Sequence, residues 1–299
     1  MVQMEQIPAK TILSPDLGGK WFGGNYNMNL YKGCCHGCIY CDSRSECYGV
    51  EEFDRVRVKK DALLLLEREL RSKTKSGVVC MGAMSDPYNP FEREQMLTRG
   101  ALALIHRYRF GAAFATKSDL AVRDMDLLCK ISRHSPVVCK LTITAASDEL
   151  SQKVEPNVCA SSKRWAAVRA FSKAGLFTGV LLMPVLPFIE DSDENILGII
   201  HLAQENGAHF IYPSFGVTLR DNQRAWFLER LEQVFPGSGL REQYIREFGN
   251  AYSCASPRAE RLWTLFQKEC QKAGILYQMK DIIRASRERV AVSQTSLFE

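Results

Sequence analysis

Cys34, Cys38 and Cys41 form a C-x3-C-x2-C run inside the segment YKGCCHGCIYCDSRSEC, Tyr31 to Cys47. Three thiolates this close together suit an iron–sulfur cluster, which normally takes four protein ligands. A loop that supplies only three leaves one iron open, and an open iron can bind a substrate or a cofactor. Gly33 and Gly37 flank the first two thiols and permit the tight backbone that such a loop needs. Tyr40 stands just before the last thiol. Cys35 reads as a neighbour pointing away from the cluster, and His36 as a loop residue. A zinc site is the other use for such thiols. Structural zinc usually draws on two separated pairs, and only Cys35, His36 and Cys47 stand nearby as extra ligands.

The elements around this run set where it sits. Asn25 to Tyr31 reads as a strand leading into the loop. Further strands are expected at Gly77–Met84, Ala112–Thr116, Val137–Thr144, Leu176–Met183 and Ala208–Pro213, from their apolar, β-branched content and bounding turn residues. Helical periodicity marks Val58–Leu70, Arg93–Tyr108, a segment capped by Ser118 and running to about Ile131, Ser161–Ala174 and Glu190–Glu205. Such alternation implies parallel βαβ units with right-handed crossovers. The fold class is therefore α/β: a partial (β/α)6 TIM-like barrel with a C-terminal helical extension. Chemistry in such barrels sits at the C-terminal strand ends, and the cysteine loop follows the first strand. Residues 1–24 read as an irregular lead-in, 25–216 as the barrel, 217–290 as a mainly helical region and 291–299 as a flexible polar tail. Within the helical region no strand is expected other than a short one at Ile275–Met279.

Composition narrows the setting. The chain of 299 residues can bury a full core, and its 46% apolar and 24% charged content is that of a globular protein. No apolar run approaches the roughly 20 residues needed to span a bilayer, so no membrane partner and a cytoplasmic setting are expected. Eleven cysteines, an odd number, argue for reduced thiols and metal ligation rather than disulfides. The net charge of +5 permits a nucleic-acid partner without demanding one.

Polar groups cluster at the expected strand ends. The second strand runs into Met84-Ser85-Asp86-Pro87-Tyr88-Asn89-Pro90, a rigid loop; the third ends in Thr116-Lys117-Ser118; the fourth carries Lys140, Thr142 and Thr144. Together they place one cation and several small polar groups where an amino-acid-like ligand would need them.

These segments, NLYKGCCHGCIYC, SDPYNPFEREQMLTRG, TKSDLAVRDMDLL, KLTIT, VEPN and AGLFTGVLLMPVLPFIED, together resemble the spore photoproduct lyase family of radical S-adenosylmethionine proteins, also labelled DNA repair photolyase-like. The resemblance covers roughly residues 25–215. It implies a 4Fe-4S cluster held by Cys34, Cys38 and Cys41, S-adenosylmethionine on the open iron, Tyr40 behind the adenine, and Ser85, Lys117 and Thr142 at the methionyl end. Pro184 and Pro187 would form the loop under the adenosine, and Glu155 and Pro156 would help shape the mouth. It also implies an electron donor such as flavodoxin or ferredoxin. The family's lyase reaction uses a cysteine hydrogen donor just ahead of the Ser-Asp pair and a tyrosine after the third cluster cysteine. Here those positions hold Ala83 and Asp42, with Cys80 the nearest thiol and the one candidate catalytic residue if it faces the mouth.

The chain ends in Gln294-Thr295-Ser296-Leu297-Phe298-Glu299, which resembles the peptide that docks bacterial repair proteins on the DNA sliding clamp, with Gln294, Leu297 and Phe298 as anchors. The expected function is a radical S-adenosylmethionine enzyme, lyase-like, acting on DNA in repair or modification. The alternatives are the same chemistry on tRNA, a peptide or a small molecule, and a non-enzymatic zinc-binding or sliding-clamp adaptor.

Overall fold

The structure is a computed structural model that describes residues 4–16 and 21–295. Six strands carry it: β1 (Tyr26–Met28), β2 (Val78–Met81), β3 (Gly111–Thr116), β4 (Val137–Thr142), β5 (Phe177–Leu182) and β6 (Phe210–Pro213). Each pairs in parallel with the next, from Tyr26 opposite Val79 to Phe210 opposite Gly179. Strand order is chain order, as repeated βαβ units require. Among the described residues β6 does not pair with β1, so the barrel is open. All six residues of β4 and of β5 are buried. Both faces of these strands are covered, which is why they read as continuous apolar runs rather than alternating ones.

The crossover helices Ala62–Ser72, Leu97–Arg107, Met125–Ser132, Ser161–Lys173 and Asp193–Glu205 bury one stripe each against the outer face of the sheet. Leu66, Ile105, Ile131, Phe171 and Ile199 meet Val79, Phe114, Leu141 and Val180 there, and burying each such side chain contributes about 1.5–3 kcal/mol. The alternate residues of the same strands face inward. Val78, Cys80, Ala113, Val138 and Phe210 pack there around Phe22 and Ile282. The Nζ of Lys140, 2% exposed, stands 4.4 Å from the Phe22 ring centre.

Several boundaries differ from expectation. Val58 lies in a strand, Arg57–Lys59, that pairs with Tyr31–Lys32 and Gln6–Ile7, and the helix starts only at Ala62. The lead-in is not wholly irregular, because Leu13–Pro15 runs antiparallel to β1. Ser118 caps a 3-10 turn over Asp119–Asp124, through its side chain and the Leu120 N–H, before the α-helix begins at Met125. The C-terminal region contains a two-stranded antiparallel sheet, Gly216–Thr218 with Ser253–Ala255, formed across the two helices between them and hidden by their periodicity. Ile275–Met279 makes only an isolated bridge, Leu276 beside Phe210. Helix Met279–Thr295 carries the chain through 291–295, where a flexible tail was expected, while Leu297 and Phe298 lie outside the described residues.

A third apolar cluster joins the cysteine loop to the C-terminal region. Ile39 and Tyr40 pack with Leu186, Phe227, Leu231 and Tyr244, helped by the Tyr244 hydroxyl donating to the Pro187 carbonyl at 2.8 Å. The helices Asp221–Val234 and Leu240–Phe248 therefore back the cysteine loop.

Candidate active site

The strand ends open into a cavity of about 410 Å³ lined by the cysteine loop on one side and by the ends of β2 to β6 on the other. Cys34, Cys38 and Cys41 all line it, as do Tyr40, Ser85, Lys117 and Thr142. One cavity thus brings together the three expected metal ligands with Tyr40, Ser85, Lys117 and Thr142; Pro184 lines it too, whereas Pro187, Glu155 and Pro156 do not. Cys80 does not reach it. That thiol is buried in the barrel interior beneath Gly24, whose added Cβ would lie 2.4 Å from the Cys80 sulfur. Cys80 faces the interior, as Val78 does, but precedes Gly82, where the cavity lining begins on this strand, so its sulfur sits below the mouth. Ala83 and Asp42 both line the cavity, where the family's lyase reaction would need a thiol and a phenol.

The loop holds its thiols on tight backbone turns. Gly33 and Gly37 take φ of 84° and 69°, and at Gly33 an added Cβ would meet the Arg55 carbonyl at 2.5 Å. Burial pushes the Cys34 thiol up to about 12, and the Asp86 charge adds to this, against backbone N–H groups of His36 and Asp86 that favour the thiolate. Burial likewise raises Cys41, opposed by Lys117, by backbone N–H groups of Ser43 and Arg44 and by the Arg44 charge. Burial raises Cys38 well above the usual thiol value, and Lys117 opposes the rise. A bound metal reverses this balance, because a coordinating thiol is deprotonated outright. Among the described residues no group of three or more His, Cys, Asp or Glu is set to hold a metal ion as the chain stands. The fit to an iron–sulfur cluster rests on the donor set: three thiols on one buried loop, N–H groups aimed at two of the sulfurs, and a lysine beside them.

Lys117 is the cation of the cavity. Burial works against its charge, yet Cys38, Glu155, Asp86 and Cys41 outweigh it and hold its pKa above the usual lysine value. Its Nζ lies 5.6 Å from the Tyr40 ring centre. Asp86 fixes this corner: it accepts from the Tyr88 N–H at 2.8 Å, the Thr116 hydroxyl at 2.6 Å and the Lys117 N–H at 2.8 Å. Ser85 donates its hydroxyl to the Gly33 carbonyl at 2.6 Å, tying the β2 end to the cysteine loop.

Sequence reasoning missed several of the residues here. His36 is buried, lines the cavity and turns Nδ1 toward Asp86 at 3.5 Å. Asp42 is held by Arg220, with Nη2 to Oδ2 at 2.6 Å, and by the Tyr48 hydroxyl at 2.8 Å. Glu190 lies beneath, accepting from Thr144 at 2.7 Å and from the Leu186 N–H at 2.9 Å, and burial raises its pKa to about 8. The clearest omission is Arg164. It is fully buried and pairs with Glu155, which accepts the Tyr40 hydroxyl. The signal was present: Arg164 shares the buried stripe of its helix with Val168 and Phe171.

Comparison with known proteins follows from this geometry. No family model matches the chain. An uncharacterized protein of Mycobacterium tuberculosis is 31% identical over 233 residues, covering 74% of this chain and 67% of its own length. An uncharacterized protein of Methanocaldococcus jannaschii is 30% identical over 239 residues, covering 79% of this chain and 85% of its own. Spore photoproduct lyase complexed with dinucleoside spore photoproduct superposes with a TM-score of 0.63 at 15% identity, covering 90% of this chain and 80% of the lyase. The chain belongs to the family of these two relatives and has the radical S-adenosylmethionine fold of spore photoproduct lyase. A radical S-adenosylmethionine methyltransferase from Kitasatospora setae, solved with tryptophan and a cofactor analogue, shares the fold more distantly, with a TM-score of 0.54 at 14% identity over 83% of this chain and 51% of its own. Within this radical S-adenosylmethionine fold the cysteine loop, Lys117 and Thr142 occupy the C-terminal strand ends. No helix among the described residues is long and apolar enough to cross a membrane.

Proposed function

We propose that the chain is a radical S-adenosylmethionine enzyme that takes a hydrogen atom from a nucleic-acid substrate, in DNA repair or modification. The observation that carries this is the single cavity lined by the thiols of Cys34, Cys38 and Cys41 together with Ser85, Lys117 and Thr142. Cys34, Cys38 and Cys41 would hold a 4Fe-4S cluster, and an electron donor such as flavodoxin or ferredoxin would reduce it. Bound there, cluster and S-adenosylmethionine supply a 5′-deoxyadenosyl radical. The chain's part is to bind, orient and exclude water. Lys117 would meet the cofactor carboxylate, Ser85 and Thr142 would border the methionyl end, and the Tyr40 ring would back the adenine. The C-terminal helices keep solvent off the loop.

Support for a nucleic-acid substrate comes from the fold shared with a lyase solved with a dinucleoside. Reversal by that lyase's cysteine and tyrosine relay is not part of the proposal, because Ala83 and Asp42 stand on the cavity wall instead. The Gln294-to-Phe298 peptide would add recruitment to a sliding clamp. The test is anaerobic reconstitution with iron and sulfide, reduction, and turnover with deuterated DNA, RNA or peptide. Deuterium entering 5′-deoxyadenosine from DNA is the expected result; label arriving only from RNA or peptide would contradict the substrate class.

A further inference from the structure

We propose that Glu155 and Arg164 are positioning residues for the cofactor, holding Tyr40 at a fixed separation from the Thr142 end of β4. This rests on the reading of the cavity as the S-adenosylmethionine site. The chain of contacts is buried from end to end. Tyr40, Glu155 and Arg164 are 5%, 1% and 0% exposed. The Tyr40 hydroxyl donates to one Glu155 oxygen and Arg164 Nη1 donates to the other. Arg164 also donates to the Thr142 carbonyl at 2.9 Å, to the Cys159 carbonyl at 2.8 Å and to the Ser151 hydroxyl at 3.1 Å. One guanidinium therefore ties together both walls of the cavity: Thr142 on the barrel side, and Tyr40, through Glu155, on the cysteine-loop side.

The backbone beside Glu155 does the same for the rest of the loop. The Ile39 N–H donates to the Val154 carbonyl at 3.0 Å, and the Asn157 N–H to the His36 carbonyl at 3.1 Å. The Asn157 side chain donates to the Cys35 carbonyl at 3.1 Å. Segment 154–157 thus clasps the loop over the stretch that carries Cys38 and Tyr40, and Arg164 holds the clasp.

Stability alone is a poor account of such a pair. Removing two charges from water is costly, and a matched apolar pair is often as stable or more so. What an apolar pair lacks is direction: it would not point the Tyr40 hydroxyl or grip the Thr142 carbonyl. The geometry therefore serves placement of the tyrosine ring against the cofactor.

The test uses the full chain reconstituted anaerobically with iron and sulfide. Dissociation constants for S-adenosylmethionine are measured by equilibrium dialysis, together with iron content and thermal midpoint, for the parent, Tyr40→Phe, the pair Glu155→Leu with Arg164→Met, and all three together. Expected is a rise in Kd of about tenfold or more in each variant, as is usual when an outer partner of a liganding group is lost. Iron content should hold, the midpoint of the apolar pair should stay at or above the parent's, and the triple variant should be no worse than the pair, because all act through one ring. Arg164→Lys, which keeps the charge and loses the fork, should show the same rise if the apolar pair does not fold. A Kd within twofold of the parent in the pair, or in Arg164→Lys, overturns the inference while leaving the cavity reading intact. Absence of any binding in the parent overturns both.

Discussion

At the scale of single residues, two lysines in one barrel have opposite electrostatics. Lys117 at the mouth keeps its charge because Cys38, Glu155 and Asp86 surround it, while Lys140 in the interior is pushed down to about 8 by burial, with Cys80 and Cys139 opposing only weakly. The mouth lysine is the one poised to meet a carboxylate. Lys117→Met should weaken S-adenosylmethionine binding roughly 10- to 150-fold, the equivalent of one charge-assisted hydrogen bond, with iron content unchanged in the same preparation. Lys140 makes a stability prediction instead. Its folded pKa lies below its unfolded value of 10.5, so at this group the unfolded chain binds more protons between pH 8 and 10.5, and the Lys140 contribution to stability rises with pH across that window. The depression is worth about 3 kcal/mol at neutral pH. Lys140→Met should remove the rise, so denaturant unfolding of parent and variant at pH 7, 8.5 and 10 should converge at the alkaline end. Parallel curves would show that Lys140 is not desolvated.

At the scale of elements, the turn that ends β2 carries the most backbone constraint near the cavity. Gly82 has φ of 94°, and a Cβ there would meet the Ala115 carbonyl oxygen at 2.2 Å. Gly82→Ala should therefore cost on the order of 1–3 kcal/mol and shift Ser85 and Asp86, read as a lower thermal midpoint together with weaker cofactor binding. A variant with the parent's midpoint would show that the turn relaxes freely. Strands β2 to β6 were legible because buried parallel strands are apolar runs between turn residues, whereas β1, in which only Met28 is buried, was read from its place before the cysteine loop. Short elements were not: Arg57–Lys59 and the paired strands Gly216–Thr218 and Ser253–Ala255 carry no periodicity long enough to read, and tertiary pairing alone makes them strands. Of the site, the cysteines could be found from their spacing, and Ser85, Lys117 and Thr142 from their places at strand ends taken with the family resemblance. Arg164 and its pairing with Glu155 escaped because the pair runs from a helix interior to the residue after another helix. Cys80 misled because depth along the strand, as well as the face, decides whether a thiol reaches the mouth: it points inward but lies below the residues that line the cavity.

At the scale of the whole molecule, the barrel and the C-terminal region meet at the cysteine loop. Phe227, fully buried, contacts Tyr244 with ring centres 5.0 Å apart in the cluster that also holds Ile39 and Tyr40. Gln223 from the same helix donates to the Tyr40 carbonyl at 3.2 Å. Phe227→Ala should cost about 3–5 kcal/mol and loosen the loop, so that a chelator strips iron from the reconstituted variant faster than from the parent. Equal stripping rates would show that the C-terminal helices do not guard the site. All of these outcomes rest on the three thiols acting as one ligand set. The most direct measurement is iron and acid-labile sulfide in anaerobically prepared protein, parent beside Cys38→Ala. The prediction is about four of each per chain in the parent and a large loss in the variant; a parent that binds zinc without sulfide, or a variant that retains the parent's iron and sulfide, would contradict it.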